Sequence, residues 1–129
     1  MEYEKGAHNL LSGEVIGAAI EVHRELGPGL LESAYEACLV RELELRNISH
    51  VRQLGLPIEY KGLVLDCGYR LDLLVNDELI VELKSVEQLT DLHKAQLLTY
   101  LRLSKIRLGL LINFNVPLLR DGIIRLVQD

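Results

Sequence analysis

The chain is short of the residues on which several common functions are built. It has no tryptophan, one phenylalanine and five tyrosines, too few aromatics for an interleaved platform on which successive bases of a single strand would stack. Its two cysteines, Cys38 and Cys67, show no CxxC spacing and no neighbouring histidine pair. That excludes a zinc finger or a disulfide framework, and both are expected as reduced, half-buried thiols of a cytoplasmic protein. No apolar run approaches the ~20 residues that span a bilayer. The opening Met1-Glu2-Tyr3-Glu4-Lys5-Gly6 is charged and lacks the pattern of an export signal. Cationic excess is missing too: the net charge is −5, which argues against holding nucleic acid by general electrostatics, since that affinity comes from cations neutralising phosphates. A nucleic-acid enzyme would need its acids concentrated at one site while Arg41, Arg46, Arg102, Lys105 and Arg107 gather elsewhere. Repeats, linkers and low-complexity tracts are absent, so residues 1–129 read as one domain, long enough to bury about two thirds of the surface of its unfolded form.

What is present centres on residues 70–84, Arg-Leu-Asp-Leu-Leu-Val-Asn-Asp-Glu-Leu-Ile-Val-Glu-Leu-Lys, which reads as a β-hairpin. Alternation puts Arg70, Asp72 and Leu74 on one face and Leu71, Leu73 and Val75 on the other, while Ile80, Glu82 and Lys84 share a face of the second strand. A three-residue loop at Asn76-Asp77-Glu78 pairs Val75 with Leu79, and counting outward sets Asp72 opposite Glu82. Like charges at that separation, about 4.5–5.5 Å between Cβ atoms, destabilise a sheet and call for a positive partner. Lys84 is one candidate and a divalent metal another.

Around the hairpin, helical spacing of apolar residues predicts helices over 9–26 and 31–46, divided by Gly27-Pro28-Gly29, where a missing donor and two glycines stop the first. Strands are expected over 51–60, 63–75 and 79–84 as an antiparallel meander turning at Lys61-Gly62. Thr90 or Asp91 caps a third helix through 103. A largely apolar strand over 107–114 reads as buried on both faces, and a last strand over 123–127 as an edge. Strand, helix, strand implies a parallel crossover. The order ααβββαββ therefore predicts an α/β fold with a mixed sheet flanked by helices.

Two further groupings fall on helices. His93, Gln96 and Tyr100 lie on one face of the third helix, as a polar stripe with a tyrosine packed on the sheet or as part of a site. Glu32 and Tyr35, within Gly29-Leu30-Leu31-Glu32-Ser33-Ala34-Tyr35, share a face of the second helix, where an acid in the first turn is favourable without any catalytic role. His23 is either a supporting residue or an ordinary boundary histidine.

Asp72, nine residues, then Glu82-Leu83-Lys84 resembles the PD-(D/E)XK nuclease superfamily. Gln96-x-x-x-Tyr100 in the following helix resembles its RecB-like branch. The wider run, from residues 22–29 through the Glu32 and Tyr35 motif to residues 108–114, looks like the GxxExxY family, over about residues 16–127. The resemblance implies a restriction-endonuclease-like core and a metal-dependent nuclease, acting on DNA more than RNA. It implies that Glu32, Asp72 and Glu82, with the backbone carbonyl of Leu83, bind Mg²⁺ or Mn²⁺, both hard ions suited to oxygen ligands. Lys84 would orient the attacking water and steady charge on the phosphate, with Gln96 and Tyr100 supporting the site. The alternatives are a catalytically silent module of the same fold and a phosphoester hydrolase for small nucleotides. A homodimer or a protein partner is compatible with either.

Overall fold

The computed structural model describes residues 2–3 and 10–128. The elements in chain order are β1 (Glu2–Tyr3), α1 (Leu10–Leu26), α2 (Glu32–Leu45), β2 (His50–Gly55), β3 (Ile58–Tyr60), β4 (Leu63–Leu65), β5 (Arg70–Val75), β6 (Leu79–Lys84), α3 (Asp91–Ser104), β7 (Leu108–Asn113), a 3₁₀ turn (Leu119–Gly122) and β8 (Ile123–Val127). Asn9, expected to open the first helix, lies outside the described residues. None of the described helices is long and apolar enough to cross a membrane.

Six strands form one mixed sheet in the order β1-β8-β7-β6-β5-β2. The β6–β7 pair is parallel and the others are antiparallel, as the expected fold class requires. Alternation divides the core between the two faces. Leu79, Val81 and Leu83 of β6, with Leu108, Leu110 and Ile112 of β7, pack under α1 and α2. Ile80 and Leu111 face the opposite way, under Leu97, Leu98 and Leu101 of α3. All six residues of β7 are buried, so its apolar continuity does mark a strand covered on both faces. At Gly109 an added Cβ would come within 3.1 Å of the Leu97 methyls, and the bare backbone lets α3 sit close. Thr90 caps that helix through a reciprocal pair: its hydroxyl accepts the His93 N–H at 3.2 Å, and His93 Nδ1 accepts the Thr90 N–H at 3.0 Å.

Several expectations are corrected. The anticipated three-strand meander is cut at Leu56-Pro57 and again after Leu65, leaving β3 and β4 as a separate two-stranded arm. Pro57 cannot donate to a ladder, which accounts for the first break. The Lys61-Gly62 turn does form, with both residues at positive φ (48° and 85°), as a two-residue hairpin demands. β8 is not an edge, because the short β1 pairs along its outer side. Cys67 is exposed rather than half-buried, and both thiols are free.

The hairpin register holds: Val75 pairs with Leu79, Leu74 with Ile80 and Leu73 with Val81. Leu71 differs from expectation, joining Leu74 and Ile80 under α3 instead of Leu73 and Val75 on the other face. The change coincides with an irregularity across the strand. Gln53 of β2 adopts φ 53°, and pairing between β2 and β5 skips the Gln53–Asp72 step, running from Arg52–Leu73 to Leu54–Leu71. A left-handed residue within a strand upsets the alternation, and the sheet loosens beside Asp72.

The end of β7 is clamped to the loop that leaves β6. The Asn113 amide, 2% exposed, accepts the Val86 N–H and donates to the Val86 carbonyl, both at 3.0 Å. Gly122 packs onto this corner so tightly that a Cβ there would stand 2.2 Å from the Asn113 carbonyl oxygen. Gly122→Ala is expected to lose about 1–3 kcal/mol of stability in urea unfolding, the cost of forcing bulk into a closed site. A midpoint and slope equal to the native protein's would contradict that packing.

Candidate active site

Where the β5–β6 ladder stops, side chains take over its hydrogen bonding. The Asp72 N–H donates to Glu82 Oε2 at 2.8 Å, and the Leu83 N–H donates to Asp72 Oδ2 at 2.8 Å. Each carboxylate thus accepts a backbone donor of the other's strand, which fixes both acids side by side in the register expected for them. A bond of this kind to an ionised carboxylate contributes about 1.5–3 kcal/mol, and the two together tie β5 to β6 where the ladder ends.

Burial sets the electrostatics. Glu82 is 4% exposed, and that desolvation, with the charge of Asp72 beside it, pushes its carboxyl from the ordinary 4.5 up to about 8. Desolvation also raises Asp72, with Glu36 adding repulsion, while the Leu83 amide pulls the other way. Lys84 lowers both, but only as a charge nearby: it makes no ion pair among the described residues. The Tyr100 hydroxyl is raised by its own burial and then by Glu82, which places it within electrostatic reach of the acids.

Apart from Glu82, which lines neither, the predicted residues divide between two cavities. One, of about 400 Å³, is lined by Glu32, Ser33, Glu36, Gln53, Asp72 and Leu83. The other, of about 510 Å³, lies against α3 and includes Lys84, Gln96 and Tyr100. Gln96 is exposed at its rim. Glu32 opens α2, where its Oε2 meets the Ser85 N–H at a long 3.4 Å. Ser85 in turn donates its hydroxyl to the Leu30 carbonyl at 2.5 Å, tying the start of α2 to the end of β6.

Tyr35 is fully buried. Its hydroxyl donates to the Gly27 carbonyl and accepts the Leu30 N–H, and its ring stacks on Phe114 at 4.4 Å. It shapes the turn before Glu32 and does not enter the site. His23 sits elsewhere, with Nε2 donating to the Val116 carbonyl at 2.8 Å, so it is a packing residue between α1 and the segment after β7.

Sequence reasoning missed Glu36. Four residues beyond Glu32, it is 8% exposed, and it pairs through Oε2 with Arg52 at 3.0 Å and through Oε1 with the Gln53 amide at 2.7 Å. The same Gln53 amide reaches Asp72 Oδ1 at 3.4 Å. The i, i+4 spacing of Glu32 and Glu36 was the available signal.

Hard oxygen donors, among them the buried Glu82 and half-buried Asp72 carboxylates, suit a divalent cation in kind. Glu82 Oε1 and Asp72 Oδ1 carry no short hydrogen bond among the described residues. Convergence of three acids on one ion is not found: the described residues contain no group of three His, Cys, Asp or Glu side chains set to hold a metal. Glu32 stands across the cavity from Asp72, and Glu36 is engaged by Arg52. The residues that fit are Asp72, Glu82 and the Leu83 backbone.

Compared with known proteins, residues 9–126 match the family model described as PD-(D/E)XK nuclease superfamily. No curated protein and no solved structure matches the chain.

Because folding raises Glu82 to about 8, the folded state holds a proton that the unfolded chain has lost across the window between 4.5 and 8. The site's contribution to stability is therefore full below that window, falls as pH rises through it and is lowest above it. Glu82→Gln, melted without metal, is expected to show a flatter profile from about pH 5 to 8 and to melt several degrees above the native protein at alkaline pH, where ~1 kcal/mol moves a domain of this size by about 4 °C. Parallel profiles for the two proteins would remove the assigned shift.

Proposed function

The chain belongs to the PD-(D/E)XK nuclease superfamily, and on that footing we propose that it is a metal-dependent nuclease that hydrolyses phosphodiester bonds, of DNA in preference to RNA. The observation that carries this reading is the crossed pair of half-buried Asp72 and buried Glu82, with Lys84 near enough to act on both. A structural core gains nothing from adjacent buried carboxylates, whereas a phosphoryl-transfer site needs them.

Asp72, Glu82 and the Leu83 carbonyl would hold Mg²⁺ or Mn²⁺. Glu32, facing the same cavity as Asp72, would act through water, since magnesium sites retain several waters. When bound, such an ion would supply charge against the phosphate and would acidify a neighbouring water. The remaining roles belong to the chain. Glu82 gives up its proton when the site fills, and Lys84 Nζ orients the attacking water and stabilises charge gathering on the phosphate oxygens. Asn113 and Ser85 keep the loop beside Lys84 in place. The finer assignment, to the GxxExxY family and the RecB-like branch, is supported by Gln96 and Tyr100 lining one cavity with Lys84. Two free cysteines support a reducing, cytoplasmic setting.

Labelled single- and double-stranded DNA and RNA, incubated with Mg²⁺ or Mn²⁺, test the reading. The native protein is expected to cut. Lys84→Met is expected to lose about 10²–10³ in rate, the usual cost of removing one preorganised charge from a transition state. Lys84→Arg is expected to recover little of it, because a planar guanidinium cannot place a compact ammonium beside the water. Full activity in both variants would remove Lys84 from catalysis, and ion binding without cleavage of any substrate would instead identify a silent module.

A further inference from the structure

The cavity against α3 adjoins the carboxylates through Lys84, and none of the acids lines it. Its volume, about 510 Å³, falls within the ~300–1,000 Å³ of small organic ligand sites. It is walled by α3 on one side and by the root of the β3–β4 arm on the other, where Leu56, Ile58 and Tyr69 contribute. We propose that this cavity receives one unpaired base of a single-stranded nucleic acid, with the adjoining phosphate at Lys84. The proposal rests on the nuclease reading and narrows its substrate to unpaired strands.

Three features point to a base. The first is an aromatic wall: Tyr69 is 43% exposed and meets Tyr100 edge to face, with centroids 6.4 Å apart and planes at 62°. Part-exposed and lining the cavity, the Tyr69 ring offers a surface on which a base can stack, a contact that tolerates any base because each has a π-face. The second is a polar rim for the base edge, made of Gln96, Thr99 and His93. His93 Nδ1 already accepts the Thr90 N–H, so the ring proton is on Nε2, which is a donor. The third is Lys84, which lines this cavity and also acts on Asp72 and Glu82. A base held against Tyr69 would thus deliver its own phosphate to the charged end.

The distribution of cations agrees with unpaired strands over duplex. Arg102, Lys105 and Arg107 do gather, but around a cavity at the start of β7, whereas Lys84 pairs with Asn113 at its far end. Arg41 and Arg46 are engaged with Glu44 and Glu42. Beside the acids, Arg52 is paired with Glu36 and Arg70 donates to the Gln53 carbonyl, and with a net charge of −5 stacking is needed to supplement phosphate neutralisation. A base within a duplex would first have to be unpaired and unstacked before it could enter.

The test is binding without turnover. Fluorescence anisotropy in EDTA, and again in Ca²⁺, compares a labelled DNA strand, the same strand as RNA, its duplex and a strand carrying abasic positions. The native protein is expected to bind the strands more tightly than the duplex and to lose affinity for the abasic strand. The DNA and RNA arms show which sugar is preferred. Tyr69→Ala, which truncates an exposed side chain, is expected to weaken strand binding about 5- to 150-fold, the range for removing one stacking partner, and Tyr69→Phe to stay within about threefold. Thr99→Phe, which fills the cavity from α3, is expected to weaken it as well. Equal binding of strand and duplex, native-like binding by both Tyr69→Ala and Thr99→Phe, or no binding at all would overturn the proposal. Duplex cleavage with Tyr69-independent binding would do so while leaving the nuclease reading intact. Tyr69-dependent strand binding with no cleavage in Mg²⁺ would keep the base site and remove the nuclease.

Discussion

Two acids that should repel are held together because each takes a backbone amide from the other's strand. The Asp72 and Glu82 carboxylates replace the ladder of β5 and β6 where it ends, so the sheet stays closed while its outer end becomes a charged cleft. Everything nearby serves that exchange. β7 and β8 bury the far side of β6, Gly109 lets α3 approach, and Asn113 secures the loop beyond Lys84. On the other side, Gln53 leaves the strand conformation and bridges Glu36 to Asp72. A residue at positive φ inside a strand is costly, and such strain collects where geometry serves a site more than the fold.

Much of this was legible because it follows from short-range rules. A side-chain period of two and an Asn-Asp loop are enough to set Asp72 opposite Glu82, and the apolar run of β7 is enough to bury it. What was not legible depends on contacts distant in sequence. The left-handed conformation of Gln53, opposite the point where Leu71 takes the other face, has no local signature, since glutamine is no turn residue. Nor does the i, i+4 relation of Glu32 and Glu36 announce that Arg52 will bind the second of them. The sparse aromatics suggested no place for a base, yet the fold brings Tyr69, just beyond the β3–β4 arm, to Tyr100 of α3. Counting residue types cannot reveal what a tertiary contact assembles.

The acidic net charge, at first an objection to a nucleic-acid enzyme, is compatible with the site that the fold builds. Carboxylates drawn out of water at one end of the sheet require compensation, and among the described residues they have the pull of Lys84 and the amides they accept. In that condition Glu82 holds its proton near neutrality, and the site is short of positive charge until a cation arrives. Glu36 and Arg52 show the alternative within the same cavity, an acid matched by a guanidinium and therefore structural. The contrast between the matched acid and the unmatched pair marks where an ion belongs.

Calorimetric titration with Mn²⁺ of the native protein and of Asp72→Asn tests this most directly. The native protein should bind in a saturable, specific event. The variant should lose that binding while melting no lower than the native protein in the absence of metal above about pH 8, where Glu82 is also ionised and the variant is relieved of one of two repelling charges. Binding of Mn²⁺ by Asp72→Asn as tightly as by the native protein would contradict the account.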